Sequence, residues 1–289
     1  MKKISVIGSN SFIAQNLITY LNQYPDSYEL FLYDQNENEN VKNYIRVDFR
    51  ELKEVNKIRF DVDIVFIFIG RTGGVQGFNE YSSFIEINEV YFLNILKCYI
   101  EQENRPRIIY PGTRLIFEDS EELIKETSAL RPKSVYAVTK LACENYFKIY
   151  KDAFGLDYVV LRICTPYGTL IKSKGSYGTF EIFWNQALKD KKITVFGDGN
   201  QRKTYTQMID ICEAFRRLIE ADNVKYESYN LGGQALSINN VVSEIAKESD
   251  AEIVHVPWPE IYKAADGGSV VFDSERFDSE FGMTYHTVI

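Results

Sequence analysis

The strongest constraint on the fold is a run of six apolar residues, Ile64–Ile69, that contains no polar position. A strand has this composition when helices cover both faces of a parallel sheet and no side chain meets water. Shorter, mostly apolar runs alternate with helical patterns as far as Val160: Ile4–Ile7, Leu30–Tyr33 and Arg107–Tyr110. Strands that alternate with helices predict an α/β fold built on a parallel sheet.

The first apolar run leads into a turn and then into a helical pattern. Between a strand and a helix, the motif G-x-x-G-x-x-G is typical of dinucleotide binding. Its three glycine positions are occupied here by Gly8, Ser11 and Ala14. Gly8 suits the tight turn and Ala14 suits close helix–strand packing, whereas Ser11 replaces the glycine that lets the backbone approach the pyrophosphate. The Ser11 hydroxyl can instead donate to a phosphate oxygen. We predict that Phe12 and Ile13, which complete the turn, also contact the cofactor.

Acidic residues and a glycine-rich loop follow the later strands. Asp34 ends the second apolar run, where a carboxylate binds the adenosine ribose hydroxyls of a dinucleotide. No arginine is adjacent to hold a 2′-phosphate, so the sequence favours NAD over NADP. We predict that Asp48 faces the adenine ring. Gly70 opens a glycine-rich loop beyond the carboxyl end of Ile64–Ile69, where ligands bind in such sheets.

Tyr136 and Lys140 are four residues apart in a segment that has a helical pattern. Residues with this spacing lie on the same face of a helix, so the Lys140 ammonium is placed beside the Tyr136 phenol. A free phenol has a pKa of roughly 10. A nearby cation lowers that pKa, and the pair becomes a candidate acid/base for an alcohol oxygen.

Composition excludes several classes of protein. The chain has 289 residues and a net charge of -8, which disfavours a nucleic-acid partner. The four cysteines are not closely paired, so we expect neither a metal site nor a disulfide framework. We find no signal peptide and no long apolar span, and we therefore expect a cytoplasmic protein without a membrane partner.

Taken together, these motifs resemble the extended short-chain dehydrogenase/reductase family, the NAD-dependent epimerase/dehydratases that act on nucleotide sugars. The resemblance covers nearly the whole chain and includes five further segments: Ile87–Val90 with Asn88, Pro111–Phe117, Leu161–Gly168, Phe196–Arg202 and Tyr229–Gly233. It implies a Rossmann-type doubly wound parallel sheet with a smaller interleaved α/β substrate domain.

The resemblance also implies a domain organisation and a quaternary structure. Residues 1–168 and about 204–229 would form the NAD-binding domain, and residues 169–203 and 230–289 would bind the nucleotide-diphosphate sugar. Members of this family form homodimers through helices that match Tyr91–Tyr99 and Tyr136–Tyr150. We therefore expect a homodimer.

Site residues carry over from the family position by position. Thr113 matches the catalytic serine or threonine, which hydrogen-bonds the reacting oxygen. Tyr136 becomes the acid/base, while Lys140 binds the nicotinamide ribose and lowers the pKa of Tyr136. Asn88 is expected to support the cofactor side of the site, and Thr165 is expected to contact the substrate.

Two adjacent cations compete for the position of the family's diphosphate-binding arginine. In the family, the spacing from Gly197 to this arginine corresponds to Lys203. The arginine of this chain is one residue earlier, at Arg202. Arg202 is favoured because a guanidinium fork suits phosphate better than an ammonium does.

Departures from the family pattern narrow the chemistry. The 4,6-dehydratases carry an acidic pair just after the catalytic serine or threonine, and this chain has Arg114 and Leu115 there. The members that epimerise at C3 and C5 use a cysteine and a histidine; Leu115 occupies the cysteine position, and His255 and His286 lie near the carboxyl end. Both activities are disfavoured.

The chemistry that remains is hydride transfer at one carbinol. The first hypothesis is an NAD-dependent nucleotide-sugar epimerase that oxidises and re-reduces the hexose C4 through a 4-keto intermediate. The second is an NAD(P)H-dependent 4-reductase of nucleotide-4-keto-6-deoxy sugars, which would use the same residues once. The third is a non-catalytic NAD(P)-sensing regulator. The sequence does not identify the nucleotide or the sugar.

Overall fold

The computed structural model describes residues 1–37, 43–171, 175 and 178–287. The chain divides into two compact units, each built from separated segments. The first unit comprises Met1–Gly112, Ser134–Leu161 and Phe215–Ser228. The second unit comprises Thr113–Lys133, Arg162–Ala214 and Tyr229–Ile289. This division assigns residues 113–133, 162–168 and 204–214 to the second unit, whereas the sequence-based boundaries group them with residues 1–112. The binding role predicted for each domain stays a prediction.

A seven-stranded sheet forms the largest element of the fold, in the order β11-β7-β5-β4-β1-β2-β3. Its strands, in chain order, are β1 (Lys2–Ile7), β2 (Tyr28–Asp34), β3 (Tyr44–Arg46), β4 (Ile64–Ile67), β5 (Arg107–Thr113), β7 (Tyr158–Ile163) and β11 (Ser228–Asn230). The pairs β1/β2, β1/β4, β2/β3 and β4/β5 are parallel. The order reverses between β1 and β4, which makes a topological switch point of the kind that binds ligands. The predicted doubly wound parallel sheet is confirmed.

The helices of the first unit are, in chain order, α1 (Phe12–Leu21), α2 (Leu52–Val55), α3 (Tyr81–Ile85), α4 (Tyr91–Ile100) and α5 (Val135–Phe154), with a π-helical turn, Glu86–Val90, between α3 and α4. The longest helix of the first unit, α5, has a capping residue at each end. The hydroxyl of Ser134 accepts a hydrogen bond from the Ala137 amide and caps α5. Gly155, with φ +70°, ends the same helix.

The core of the first unit explains the long apolar run. All four residues of β4 are buried, and Phe66 stacks on Phe68 at 5.3 Å between ring centroids. Phe215 lies edge-on to both rings and belongs to α7 (Met208–Glu220). Within the described ranges, no helix is both long and apolar enough to cross a membrane.

The second unit contains one three-stranded sheet, β12-β10-β8, and two pairs, β13-β9 and β14-β6. Its strands are β6 (Leu123–Ile124), β8 (Thr165–Tyr167), β9 (Lys192–Phe196), β10 (Arg202–Gln207), β12 (Gln234–Ser237), β13 (Glu252–Val256) and β14 (Val271–Phe272). Its helices are α6 (Gly178–Asp190), α8 (Ile238–Ser249), α9 (Glu260–Asp266) and α10 (Glu275–Phe281). Phe183, Tyr205 and Val242 lie in its buried core.

Candidate active site

Gly8 forms the turn between β1 and α1, and only a glycine fits there. Its φ is +81°, and an added Cβ would lie 2.6 Å from the backbone nitrogen of Ile69. The amides of Gly8 and Ser9 both donate to the Tyr33 carbonyl, at 2.8 and 3.1 Å. The turn is therefore held tightly against the ends of β2 and β4, as a dinucleotide-binding turn requires.

We expect Gly8→Ala to lower the free energy of unfolding by about 2–5 kcal/mol, because left-handed strain adds to a backbone collision. Gly155→Ala is the matched control, since Gly155 has φ +70° but no atom within 4 Å of an added Cβ. That control should cost only about 1 kcal/mol from strain. Urea unfolding of the two variants tests this, and equal losses would show that the approach to Ile69 is unimportant.

The polar groups around this turn fit a dinucleotide pyrophosphate. The Ser9 hydroxyl is buried and has no hydrogen-bond partner among the described residues. Ser11 caps α1, because its Oγ accepts from the Ala14 amide at 3.4 Å, and its hydroxyl hydrogen remains available to an anion. Phe12 and Ile13 lie half-buried in the first turn of α1, whose amino-terminal end favours negative charge.

Asp34 is positioned at the carboxyl end of β2, as predicted for a ribose-binding carboxylate. It is 8% exposed, and its Oδ2 accepts from the Asn10 amide at 2.9 Å while its Oδ1 accepts from the Asn36 amide at 3.2 Å. Each carboxylate oxygen retains acceptor capacity for a hydroxyl. These contacts hold the carboxylate in place, and ribose binding by Asp34 stays a prediction.

The Asp48 carboxylate accepts hydrogen bonds from the nearby Arg50, a contact that the sequence did not indicate. Side-chain and backbone hydrogen bonds from Arg50 lower the pKa of Asp48 to about 2. The side-chain bonds run from Arg50 Nε and Nη2, at 2.9 and 2.7 Å. The adenine contact of Asp48 remains a prediction.

Asn88 connects the glycine-rich loop to α5. It lies in the π-helical turn, and its Oδ1 accepts from the Arg71 amide at 2.6 Å, directly after Gly70. Its Nδ2 donates to the Arg71 carbonyl at 3.1 Å and to Thr139 Oγ1 at 2.8 Å. Thr139 in turn donates to the Tyr136 carbonyl at 2.9 Å. We therefore interpret Asn88 as a support for the loop and for the start of α5.

Lys140 is buried but lacks a conventional partner. It is 5% exposed, and its Nζ lies 3.7 Å from the centroid of the Tyr110 ring. Among the described residues it has no hydrogen-bond acceptor, so its donors are available to the hydroxyls of a ribose. Burial lowers the pKa of Lys140 to about 8, although Cys143 and Glu144 act in the opposite direction. Tyr136 lies half-buried one helical turn earlier.

The lowered pKa of Lys140 predicts a pH-dependent stability of the cofactor-free protein. The pKa falls from 10.5 to about 8 on folding, so the unfolded chain binds more protons between these values. The free energy of unfolding should therefore rise with pH from about pH 8 to about pH 10. We expect the wild type to gain stability across this range relative to Lys140→Met, as measured by urea midpoints. Parallel pH profiles for the two proteins would contradict the prediction.

Neither Tyr110 nor Cys143 was identified from the sequence. The Cys143 thiol donates to the Asn88 carbonyl at 3.0 Å, and burial raises the pKa of Cys143 to about 11. Burial also raises the pKa of Tyr110 well above its usual value. The spacing of Cys143, three residues after Lys140, was the available signal, since both then share a helix face.

In the second unit, Thr113 lies at the end of β5 and is 6% exposed. Its Oγ1 accepts from the Leu115 amide at 3.3 Å and caps the short 3₁₀ turn that follows. The hydroxyl hydrogen is therefore free for donation to another oxygen. Thr165 is buried on β8, in parallel register with Tyr205 of β10. The roles predicted for both threonines stay predictions.

The two candidate diphosphate ligands differ in their surroundings. Arg202 is exposed, whereas Lys203 is 4% exposed and ion-paired with Asp266. Arg114 also bonds Asp266, through Nη1 and Nη2 at 2.6 Å each. We call Arg114, Lys203 and Asp266 the Asp266 cluster. No motif in the sequence pointed to Asp266.

Comparison with known proteins identifies the family. The sequence profile of the NAD dependent epimerase/dehydratase family matches residues 4–232. The chain therefore belongs to this family, which confirms the predicted family and NAD as its cofactor.

Individual relatives are distant, and they span most of the chain. A putative UDP-glucose 4-epimerase of Methanocaldococcus jannaschii is 27% identical over 258 residues, or 85% of this chain and 82% of that protein. A UDP-glucuronate 4-epimerase of Thermodesulfobacterium geofontis is 26% identical over 241 residues, which is 78% of this chain and 73% of that protein. The structure of a UDP-glucuronic acid 4-epimerase from Bacillus cereus, with UDP-glucuronic acid and NAD, matches with a TM-score of 0.84. It is 21% identical and covers 99% of this chain and 94% of its own. This likeness shows a shared fold.

Proposed function

We propose that this protein is an NAD-dependent nucleotide-sugar 4-epimerase. The observation that carries the proposal is the buried Lys140 ammonium, which has no acceptor among the described residues and lies one turn from Tyr136. A family member that served only as a structural or sensing protein would not need a buried cation beside a phenol, because burial without an acceptor is costly. Two of the relatives, the putative UDP-glucose 4-epimerase and the UDP-glucuronate 4-epimerase, support the same reaction.

NAD, which the turn at Gly8 together with Asp34 and Lys140 would hold, would supply the acceptor and donor of the C4 hydride. Tyr136 takes the proton of the C4 hydroxyl and gives it back after the 4-keto sugar has turned over. Lys140 holds the ribose hydroxyls of the cofactor and favours the Tyr136 phenolate, since a cation nearby stabilises the charged form of a phenol. We propose that Thr113 donates a hydrogen bond to the reacting oxygen.

The second unit provides the candidate contacts with the nucleotide sugar. We propose that Thr165 binds the sugar and that a cation of β10 binds the diphosphate. Residue type favours Arg202, and its exposure leaves the guanidinium accessible to a ligand. The spacing from Gly197 in the family favours Lys203, whose ammonium is ion-paired with Asp266. Charge reversal at Arg202 and at Lys203, compared by the affinity for UDP, tests which of them binds the diphosphate.

Mass spectrometry of the nucleotide released on denaturation, followed by assays for C4 inversion of UDP-hexoses, tests the proposal. Retained NAD and inversion of at least one nucleotide sugar are the expected results. A protein without nucleotide that consumes NADPH or NADH and reduces a 4-keto-6-deoxy sugar would instead establish the 4-ketoreductase. NAD binding without turnover of any nucleotide sugar, unchanged in Tyr136→Phe, would favour the regulator.

We also propose a cytoplasmic homodimer. Four exposed apolar side chains lie on or beside α4 and α5, and together they support a helical interface: Val90, Val138, Ile149 and Phe154. Light scattering after size exclusion measures the mass directly. A monomer at micromolar concentration would contradict this part of the proposal.

A further inference from the structure

Helix α5 holds Asn88 at two points, one on its side chain and one on its backbone. The Asn88 Nδ2 donates to Thr139 Oγ1 at 2.8 Å, and the Cys143 thiol donates to the Asn88 carbonyl at 3.0 Å. Thr139 and Cys143 are four residues apart and therefore lie one above the other on the same face of α5. All three residues are buried. The two contacts fix both the backbone of Asn88 and the orientation of its side chain.

Asn88 in turn fixes the start of the glycine-rich loop. Its side chain bonds the amide and the carbonyl of Arg71, at 2.6 and 3.1 Å. A Cβ added at Gly70 would lie 3.6 Å from Asn88 Oδ1, so the loop is in contact with this side chain. The loop follows the carboxyl end of β4, where ligands bind in sheets of this kind. A shift of Asn88 would therefore move the loop at the edge of the sheet where a cofactor binds.

The backbone around Asn88 has an unusual geometry. Asn88 lies in the middle of the π-helical turn Glu86–Val90, where the Tyr91 amide donates to the Glu86 carbonyl five residues earlier. Turns of this kind are rare, and they occur frequently at functional sites. Here a carbonyl within the turn accepts a hydrogen bond from a side chain of another helix. The Cys143 thiol therefore stabilises the turn that carries Asn88.

Cys143 also lies beside the partner of Lys140. The Lys140 ammonium is 3.7 Å from the centroid of the Tyr110 ring, and the Cys143 thiol and the Tyr110 phenol each affect the pKa of the other. Burial raises the pKa of Cys143 to about 11, although Lys140 and Tyr110 act in the opposite direction. The thiol consequently stays protonated at neutral pH and remains a donor. One thiol thus lies next to the supports of both the loop and the Lys140 ammonium.

We propose that Cys143 is a positioning residue for NAD: its thiol fixes the backbone of Asn88, and Asn88 holds the loop at Gly70 and the start of α5 in the arrangement that binds the cofactor. The inference rests on the proposed function, which places the nicotinamide ribose at Lys140. Cys143 is 0% exposed, so it acts through Asn88 rather than by touching NAD. A cysteine suits this position because it packs as a small apolar side chain and still presents one hydrogen to the carbonyl.

Cys143→Ala tests the inference, because it removes the donor and leaves Lys140 and the turn at Gly8 unchanged. The holoenzyme is loaded with NADH, and the release of NADH is followed by its fluorescence after addition of excess NAD. We expect NADH to dissociate about fivefold faster from the variant than from the wild type, as the loss of one buried hydrogen bond implies. Cys143→Ser, whose hydroxyl can donate to the same carbonyl, should recover most of the difference.

Cys98→Ala is the matched control for a loss of packing. Cys98 is 1% exposed in the same core, and its sulfur lies 3.8 Å from the Leu52 carbonyl. We expect this variant to lose a similar amount of thermal stability while its NADH dissociation rate stays at the wild-type value. Equal rates for the Cys98 and Cys143 alanine variants, or no recovery in Cys143→Ser, would overturn the inference.

Asn88→Ala separates an effect through Asn88 from a direct one. It removes the side chain that holds the loop, so adding Cys143→Ala should change the NADH dissociation rate little further, because residues that act together are not additive. Independent effects of the two changes would overturn the inference. The assay needs no sugar turnover. A protein that shows the expected dissociation rates but inverts no nucleotide sugar would support the inference and contradict the proposed function.

Discussion

Tyr136→Phe is expected to lower kcat for C4 inversion by about 10²–10⁴-fold, because the variant cannot take or return the hydroxyl proton. Binding of NAD should persist, since the nucleotide turn at Gly8 and the Lys140 ammonium are unchanged. The measurement is turnover of the accepted nucleotide sugar, alongside the amount of NAD that copurifies with the protein.

Tyr150→Phe is the matched control for this variant. Tyr150 lies on the same helix, and its ring packs against Phe154, at 5.5 Å between centroids. Loss of its hydroxyl should leave both turnover and bound NAD as in the wild type. A Tyr136→Phe enzyme that retains more than a tenth of wild-type kcat would remove Tyr136 from the role of acid/base.

Asp266→Ala is expected to lower the free energy of unfolding by about 3 kcal/mol, because it leaves Arg114 and Lys203 buried without a counter-ion. The two cations hold the pKa of the Asp266 carboxyl far below its usual range, against the effect of burial. A carboxylate whose pKa falls on folding contributes stability above its unfolded pKa of about 4, and this contribution is lost as the pH falls. The wild type should therefore lose its advantage over Asp266→Ala in acid.

Asp61→Ala is the appropriate comparison, because Asp61 also bonds an arginine, Arg59, but at the surface. The side chains of that pair are 39% and 65% exposed, so its removal should cost less than about 1 kcal/mol. Urea unfolding of both variants at pH 7 and at about pH 2.5 separates the two cases, because the contribution of Asp266 is lost below its unfolded pKa of about 4. Similar losses at pH 7 would mean that the Asp266 cluster is solvated rather than buried.

Structural features that depend on residues close together in the sequence were predicted well. The run Ile64–Ile69 contains β4, whose four residues are all buried, and the turn at Gly8 has the positive φ that its motif requires. Asp34 ends β2 as expected. These features depend on the backbone preferences and apolar patterns of neighbouring residues, which can be read directly from the chain.

Contacts between the predicted site residues and residues outside their motifs were predicted less completely. Ser11 caps its own helix, and Asp48 bonds Arg50, contacts that the motif alone did not reveal. The spacing of Tyr136 and Lys140 predicted a shared helix face, but the Tyr110 ring under the Lys140 ammonium comes from β5. This contact forms because both groups are buried together when α5 packs near β5. A helical pattern in the sequence does not specify which strand the helix packs against.

The amino-acid sequence by itself determined the parallel α/β sheet, the nucleotide turn and the candidate acid/base, because each rests on residues close together in the chain, and it identified the family through the order of such short motifs. Only the tertiary structure decided that Asn88 contacts Thr139, 51 residues away, and that Arg114 and Lys203 share Asp266, which is 152 residues from Arg114. Partners at such separations are chosen by packing and by the need to compensate buried charge and hydrogen-bonding groups. Those requirements arise only when distant segments are buried together.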